Sequence, residues 1–306
     1  MLSVTILRGL PASGKSTYAR QMVTDYPNQY KRLSKDDLRD MLDNGIHTKG
    51  NEGFILTVRD ALIIEAIWNG SHVIVDDTNL NPVHEKRINN LITEFNKQNN
   101  KEIRVIVKDF NQPLNTCLKW DSLRTKSIGE EVIRSMYGEY VYAKDWVTKT
   151  KNEPITFAKY MVVDMDGTLS NTQERIKFVK GEGKKNWKLF FNFCVFDQPR
   201  KEVLQQVLIH HFSNNHIPIV IVSARPETYR NQTEKWLHEH GIRYDKLLMR
   251  KEFDKRTDDI VKQEMLDLYM NKDHISVAFD DRKRILDMWE KNGIRTVNVG
   301  GDDNDF

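Results

Sequence analysis

Short apolar runs alternate with stretches of helical period along the whole chain. Val4–Leu7 is the first such run, and a helical pattern follows from Lys15 to about Thr24. His72–Val75 and Arg104–Val107 read as further strands, and Glu130 to about Lys144 reads as a helix. That alternation predicts a parallel sheet covered on both faces by helices. The stretch from Thr148 to Lys159, with Pro154, has no period and precedes a new strand, so the expected domains are residues 1–150 and 151–306. The second half repeats the logic, with strands at Tyr160–Val163, Ile217–Val222 and Ser276–Phe279 and helices between. The fold class is therefore α/β twice over, two domains that are each a mostly parallel sheet flanked by helices.

A chain of 306 residues, 39% hydrophobic and 30% charged, has the composition of a soluble globular protein of two ordinary domains. No window reaches the roughly 18 to 20 apolar residues that a membrane span needs, so no membrane partner is expected. The apolar start of the chain lacks a basic leader and reads as a buried strand. Cys117 and Cys194 lie far apart, which fits a reduced, cytoplasmic protein. A net charge of +3 is compatible with a polyanionic ligand without requiring one. Clusters such as Lys184-Lys185 and Arg282-Lys283-Arg284 read first as solvated faces.

The candidate chemistry changes this picture. Gly9-Leu-Pro-Ala-Ser13-Gly14-Lys15-Ser16 is a complete GxxxxGKS loop between a strand and a helix. Such a turn points successive backbone N–H groups at phosphate oxygens. Gly9 and Gly14 permit its backbone angles, Lys15 reaches the β- and γ-phosphates, and the Ser16 hydroxyl takes a Mg²⁺ position. With Ser13 and Thr17 they form the expected ATP site. A kinase also needs a base for the accepting hydroxyl. In Leu33-Ser34-Lys35-Asp36-Asp37-Leu38-Arg39, Ser34 can cap a helix that puts Asp36 and Arg39 on one face. The bland alternative, a capping box of Ser34 and Asp37, is compatible with it. Asp76-Asp77-Thr78-Asn79 ends a strand at the sheet edge where open α/β folds bind ligands, either as a metal or substrate contact or as a turn initiator. Lys119, Arg124 and Lys126 lie on or beside a helix and could close over the phosphates, or could simply be solvated.

Asp164-Met-Asp166-Gly-Thr168 follows the apolar run Tyr160–Val163. An aspartate there attacks phosphorus, and a second acid two residues later protonates the leaving oxygen and activates water. Ser223 after its strand can donate to phosphate, Lys262 offsets charge, and Asp280-Asp281 holds Mg²⁺ together with Asp164 and Asp166. This order resembles the haloacid-dehalogenase-like phosphatases, which implies an aspartyl-phosphate and Mg²⁺. The stretch 167–222 is too short for a large lid over the site, which favours a bulky substrate such as a nucleic-acid end.

Both halves together are similar to the polynucleotide 5′-kinase/3′-phosphatases of T-even bacteriophages. The shared stretches include GLPASGKST, Asp36–Arg39, Asp77-Thr-Asn-Leu-Asn-Pro82, Arg134–Tyr137, Asp164–Leu169, Val222–Arg225, Asp258–Lys262, Asp280–Arg282 and Met288-Trp289. The resemblance implies that Asp36 is the base on a 5′-hydroxyl and that Arg39 contacts the acceptor's neighbouring phosphate, buttressed by Asp77. It implies phosphatase roles for Arg175, Arg225, Asp258 and Lys262. It also implies RNA or DNA ends as substrate, a nucleic-acid ligase as functional partner, a homo-oligomer, and, for a phage-encoded chain, the host cytoplasm. Two departures stand out. The family's paired lid arginines fall on Lys119 and Leu123 here, with Arg124 one place later. The segment from Gly181 to Phe196 differs most, and its Trp187 and Phe190 either stack on bases or pack a core. A kinase/phosphatase of small nucleosides or sugars is the competing reading, and a binding module with decayed sites is another.

Overall fold

In the computed structural model, which describes residues 1–181 and 183–300, the chain divides into two compact units, Met1–Val141 and Tyr142–Phe306. The first unit is a parallel sheet of β1 (Ser3–Gly9), β2 (Tyr30–Leu33), β3 (His72–Val75) and β4 (Arg104–Phe110), in the order β2-β3-β1-β4. Its helices are α1 (Lys15–Asp25), α2 (Lys35–Asp43), α3 (Glu52–Trp68), α4 (Pro82–Asn99), α5 (Leu114–Ser122) and α6 (Glu130–Met136). The helix ends follow local chemistry. Ser34 caps α2 by accepting from Asp37 N, and Asn81 caps α4 by accepting from Val83 N, with Pro82 in the first turn. Asn100 closes α4 in the left-handed region. The helix expected to run to about Lys144 stops at Met136 and widens into a π turn, Tyr137–Val141, around Gly138. Val4, Ile6, Val73 and Val75 pack with Ile63, Ile67, Ile88 and Ile92 to form the core.

Residues 142–150 belong to the second unit because the buried Glu234 gathers them. Its carboxylate accepts from Trp146 Nε1 at 3.1 Å, Lys149 N at 2.8 Å and Thr150 N at 2.9 Å. This unit contains β5 (Tyr160–Val163), a small hairpin of β6 (Ser170–Asn171) and β7 (Gln198–Pro199), β8 (Ile219–Pro226), β9 (Lys246–Arg250), β10 (Ile275–Asp280) and β11 (Thr296–Asn298). Its helices are α7 (Gln173–Ile176), α8 (Trp187–Asn192), α9 (Lys201–Ser213), α10 (Arg230–Glu239), α11 (Asp258–Tyr269) and α12 (Lys283–Lys291). The main sheet has the order β11-β10-β5-β8-β9, all parallel. β5 is buried along its whole length, as a central parallel strand must be. β8 starts two residues later than expected and runs through Ser223 and Arg225, so those side chains sit in the strand and not beyond it. Between β6 and β7 the described residues form α7, α8 and a 3-10 turn, Phe193–Phe196, a small helical insert in place of a lid domain.

Candidate active sites

The first site lies where β1 turns into α1. Gly14 has φ 93° and Ala12 φ 58°, the left-handed angles this turn requires. A Cβ on Gly9 would come within 2.6 Å of Phe110 O, so only glycine fits there. Lys15 is buried, and its Nζ donates to Gly9 O at 3.0 Å, Leu10 O at 2.6 Å and Ser13 Oγ at 3.3 Å. All three acceptors are neutral. Burial, only partly opposed by Asp76, pulls the Lys15 pKa down to about 8. A cradle of backbone donors around an under-compensated cation fits a polyphosphate. Ser16 Oγ donates to Asp76 Oδ1 at 3.1 Å, and Arg32 Nε grips the other Asp76 oxygen at 2.6 Å. Ser16 and Asp76 thus offer two oxygens to a hard cation beside the loop. Thr17 is exposed on the first turn of α1.

At the same sheet edge, α2 presents Asp36 and Arg39 together. Arg39 Nη1 donates to Asp36 Oδ1 at 2.5 Å, and the Asp36 side chain is 88% exposed. The expected buttress is corrected. Arg39 is held by Glu52, with bonds of 3.1 Å from Nε and 2.8 Å from Nη2, while Asp77 serves another purpose. Asp77 accepts from Lys35 N at 2.9 Å and lies 3.6 Å from the buried Arg59. Burial pushes the Asp77 carboxyl up. Glu52 also takes Lys35 Nζ at 3.1 Å. Burial works against ionisation, but the bonds from Arg39 and Lys35 hold the Glu52 carboxyl below its usual range. Asn79, expected to touch substrate, is likewise corrected. It is buried, with φ 46°, and its Nδ2 donates to Leu7 O at 2.8 Å, so it braces β1 against the end of β3. Thr78 contributes its carbonyl to Gly9 N at 3.0 Å.

Beyond α5 the chain wraps around the buried Asp121, which accepts from Ser127 Oγ at 2.6 Å and Gly129 N at 3.1 Å. Arg124 donates to the same Asp121 at 3.3 Å, and its charge adds slightly to the lowering of the Lys15 pKa. Lys119 stays exposed, and Lys126 pairs with Asp40 of α2 at 2.9 Å.

In the second unit, strands β5 and β10 bring three carboxylates to one rim. Oxygens of Asp164, Asp280 and Asp281 all lie within 4.8 Å of one another. Lys262, near the start of α11, donates from Nζ to Asp164 Oδ1 at 2.6 Å and to Asp280 Oδ2 at 2.7 Å. Burial works against the Lys262 charge, yet these two acids hold its pKa above the ordinary value. One lysine does not neutralise three carboxylates. Burial and the neighbouring acids push the Asp164 carboxyl well up, and Asp281 up to about 6. This excess of oxygen-borne charge fits a hard divalent cation. Asp281 packs so tightly on Gly167, at φ 88°, that a Cβ there would sit 2.1 Å from Asp281 Oδ2. Thr168 Oγ1 donates to Asp281 Oδ1 at 3.3 Å.

Asp166, expected among the metal ligands, turns its carboxylate elsewhere. Oδ1 accepts from Arg175 Nη2 at 2.6 Å and from Arg225 Nε at 2.8 Å. Burial favours the neutral acid, but the two guanidiniums outweigh it and hold Asp166 well below the usual carboxylate range. Arg175 is itself locked by Asp197, Nε to Oδ1 at 2.8 Å, and lies over the Phe190 ring at 4.1 Å. Ser223 Oγ accepts from Arg225 N at 3.1 Å, which leaves its hydroxyl hydrogen free to point elsewhere. Asp258 does not reach the carboxylate cluster. It accepts from Arg250 and, at 2.8 Å, from Arg282, and so positions two arginines at the rim. The open alternative in the divergent segment splits: Phe190 is core, whereas Trp187 is exposed.

Sequence comparison adds what each half is similar to. Residues 158–306 match the profile of the polynucleotide kinase PNKP phosphatase domain, and residues 4–140 match that of an AAA domain. The chain is similar to the L-seryl-tRNA(Sec) kinase of Methanococcus maripaludis, 30% identical over 138 residues, which are 44% of this chain and 51% of that protein. The chain thus spans about half the length of this curated relative. Two solved structures, of a Pnkp1/Rnl/Hen1 complex and of the Pnkp1/Rnl/Hen1 RNA repair complex, align over 98% of this chain and 97% of theirs, at 24% identity and TM-scores of 0.38 and 0.37. A P-loop kinase domain and a phosphatase domain of this class use a nucleotide and a divalent metal. Among the described residues no helix is long and apolar enough to cross a membrane.

Several members of these two candidate sites were missed from sequence. Arg59 had a readable signal, because it shares with Ile55, Ile63 and Ile67 the buried, four-residue-spaced face of α3, where a charge must have a partner. Glu52, Arg32 and Asp197 carried none, since each meets its arginine or aspartate only through the tertiary fold.

Proposed function

We propose that this chain is a bifunctional nucleic-acid end-healing enzyme. Its P-loop domain transfers the γ-phosphate of ATP to a 5′-hydroxyl of RNA or DNA. Its phosphatase domain removes a 3′-phosphate, a 2′,3′-cyclic one included. One observation carries this reading: a P-loop unit and a polynucleotide kinase phosphatase unit occur in a single chain. The seryl-tRNA kinase relative supports it by its name, which gives a tRNA-linked acceptor.

In the first site, the loop amides and Lys15 bind the β- and γ-phosphates, and Ser16 and Asp76 would hold a Mg²⁺ that accompanies ATP and offsets its charge. Asp36 accepts the proton of the 5′-hydroxyl. Arg39, pinned by Glu52, binds the acceptor's neighbouring phosphate, and Arg124 offsets charge that builds during transfer. In the second, an Asp164 oxygen attacks phosphorus as the bond to the 3′-oxygen breaks, and water then hydrolyses the aspartyl-phosphate to free phosphate and Asp164. Mg²⁺ held by Asp164, Asp280 and Asp281 would neutralise the phosphate oxygens. Lys262 aims Asp164 and, together with the divalent cation, would favour its ionised form, and Ser223 donates to the phosphoryl group. In its arginine clamp Asp166 is an anion, which suits activation of water. Protonating the leaving oxygen requires Arg175 and Arg225 to shift their charge onto the incoming phosphate, which lets Asp166 take up a proton. The products are the ends a nucleic-acid ligase joins. By the same resemblance the enzyme works in the cytoplasm as a homo-oligomer.

The test offers the full chain labelled ATP with a 5′-hydroxyl oligonucleotide or free nucleosides, and separately a 3′-phosphorylated oligonucleotide. Transfer to the oligonucleotide and release of its 3′-phosphate are expected. Transfer to nucleosides alone would overturn the proposal.

A further inference from the structure

A cavity of about 760 Å³ opens over Asp164, Asp166 and Asp280 in the second unit. That is the size of a site for a nucleotide-sized molecule, far more than a phosphate needs. Two aromatic rings on its wall stand in water: Trp187, 42% exposed at the start of α8, and Phe253, 85% exposed in the loop between β9 and α11. The Trp187 ring is propped from below. It meets Phe190 edge-on at 5.6 Å and lies nearly parallel to Phe191 at 6.0 Å, and Phe191 rests on Tyr229 at 5.4 Å. Phe253 sits at φ 64°, a left-handed conformation that disfavours a residue with a bulky side chain. Burial cannot account for it, because the ring is outside the core. A strained, exposed aromatic at the rim of a reactive cavity points to a ligand that covers it. Lys185, 5.8 Å from the centre of the Trp187 ring, and Lys255 line the same cavity, so it joins flat apolar rings to positive charge, the combination that binds single-stranded nucleic acid.

We infer that Trp187 and Phe253 form a stacking site for the nucleobase of the 3′-terminal nucleotide, the one whose phosphate meets Asp164. This rests on the phosphatase reading above and names the substrate part that reading leaves open. Stacking on a ring face is tolerant of base identity, so the site gains affinity for the end without selecting among the four bases.

The test compares two oligonucleotides of one sequence, both with a 3′-phosphate, one ending in an intact nucleotide and one in an abasic sugar. Wild-type enzyme should show a KM roughly 5- to 100-fold higher for the abasic end, with kcat little changed. Trp187→Ala and Phe253→Gly should raise KM for the intact end toward the abasic value. Removing the ring and the base together should cost no more than either alone. Trp187→Phe should keep most of the affinity. Phe253→Gly keeps the left-handed backbone unstrained, and an unchanged melting temperature separates loss of the ring from a destabilised loop. Equal KM for the two ends in wild type, or equal losses by the variants on both ends, overturns the stacking site and leaves the phosphatase reading intact. Failure of the wild type to release phosphate from either end overturns that reading and the stacking site with it.

Discussion

Each unit buries one lysine at the rim of its sheet, and the two lysines are shifted in opposite directions. Lys15 meets only neutral hydrogen-bond acceptors among the described residues, and burial lowers its pKa to about 8. Lys262 lies between Asp164 and Asp280, and its pKa is raised. The first site is electrostatically incomplete without an anion; the second has its cation already bonded and an excess of carboxylate over it. The lesson is that two phosphate-handling sites can await opposite charges. The P-loop awaits the polyphosphate, and the aspartate cluster awaits a cation before it can admit a phosphate.

The largest effect that would sharpen this comparison is loss of the nucleophile. Asp164→Asn should lower 3′-phosphatase turnover by roughly 10⁴-fold or more and leave 5′-kinase turnover unchanged. Radiolabel release and radiolabel transfer, measured on the same preparation, check both halves. Loss of both activities would mean that the sites are not separable.

Stability should then distinguish the lysines. Lys262→Met strips the cation from three buried carboxylates and should cost about 3–5 kcal/mol in denaturant unfolding of the second unit. Added Mg²⁺ should restore part of that. Lys15→Met removes an under-compensated buried charge, so the first unit should melt no lower than wild type while kinase turnover falls by about 10³-fold. A Lys15→Met variant destabilised as much as Lys262→Met would break the comparison. Glu52→Gln is a smaller lesion on the acceptor side. It weakens the clamp on Arg39 and should raise the KM for the 5′-hydroxyl oligonucleotide about tenfold, with less effect on the KM for ATP.

The same electrostatics decides what could be read from the chain. Motifs made of neighbours in sequence were legible. The loop from Gly9 to Ser16, the Asp164/Asp166 pair and Asp280-Asp281 each follow a strand, and the strand places them at the rim. Pairings between distant segments were not. Asp77 and Glu52 are both acids near an arginine, and only the packing of α2 on α3 decides that Glu52 takes Arg39 while Asp77 faces Arg59. The Asp166 carboxylate was assigned to a metal because its position in the motif is acidic. Its orientation is set by Arg175 and Arg225, 9 and 59 residues away in sequence. Asn79 was misread for the same reason, since a polar residue at a strand end gives no sign that its amide will bridge to Leu7 O. Phe253 gave no signal either, because a left-handed angle at a phenylalanine cannot be inferred from composition.

The gentlest test of the comparison is pH. Lys15 has a pKa of about 8 without nucleotide, and a polyphosphate beside it must raise that value, so binding takes up a proton wherever the free site has lost one. ATP affinity should be flat below pH 8 and decline above it, falling about threefold between pH 7.5 and 8.5. Folding runs the other way. An unfolded lysine titrates near 10.4, so between pH 8 and that value the unfolded chain holds more protons than the folded one. The cost of burying the Lys15 charge is therefore fully present below pH 8 and fades as pH rises through that window, so this group makes the first unit more stable there while it binds ATP less well. Lys15→Arg keeps a charge that does not titrate and should flatten the binding profile. Titration calorimetry in buffers of different ionisation enthalpy reads the proton uptake directly. Uptake near zero at pH 8.5 in the wild type would mean that Lys15 is already fully charged in the empty loop, and the contrast with Lys262 would then be one of hydrogen-bond partners without a difference in charge state.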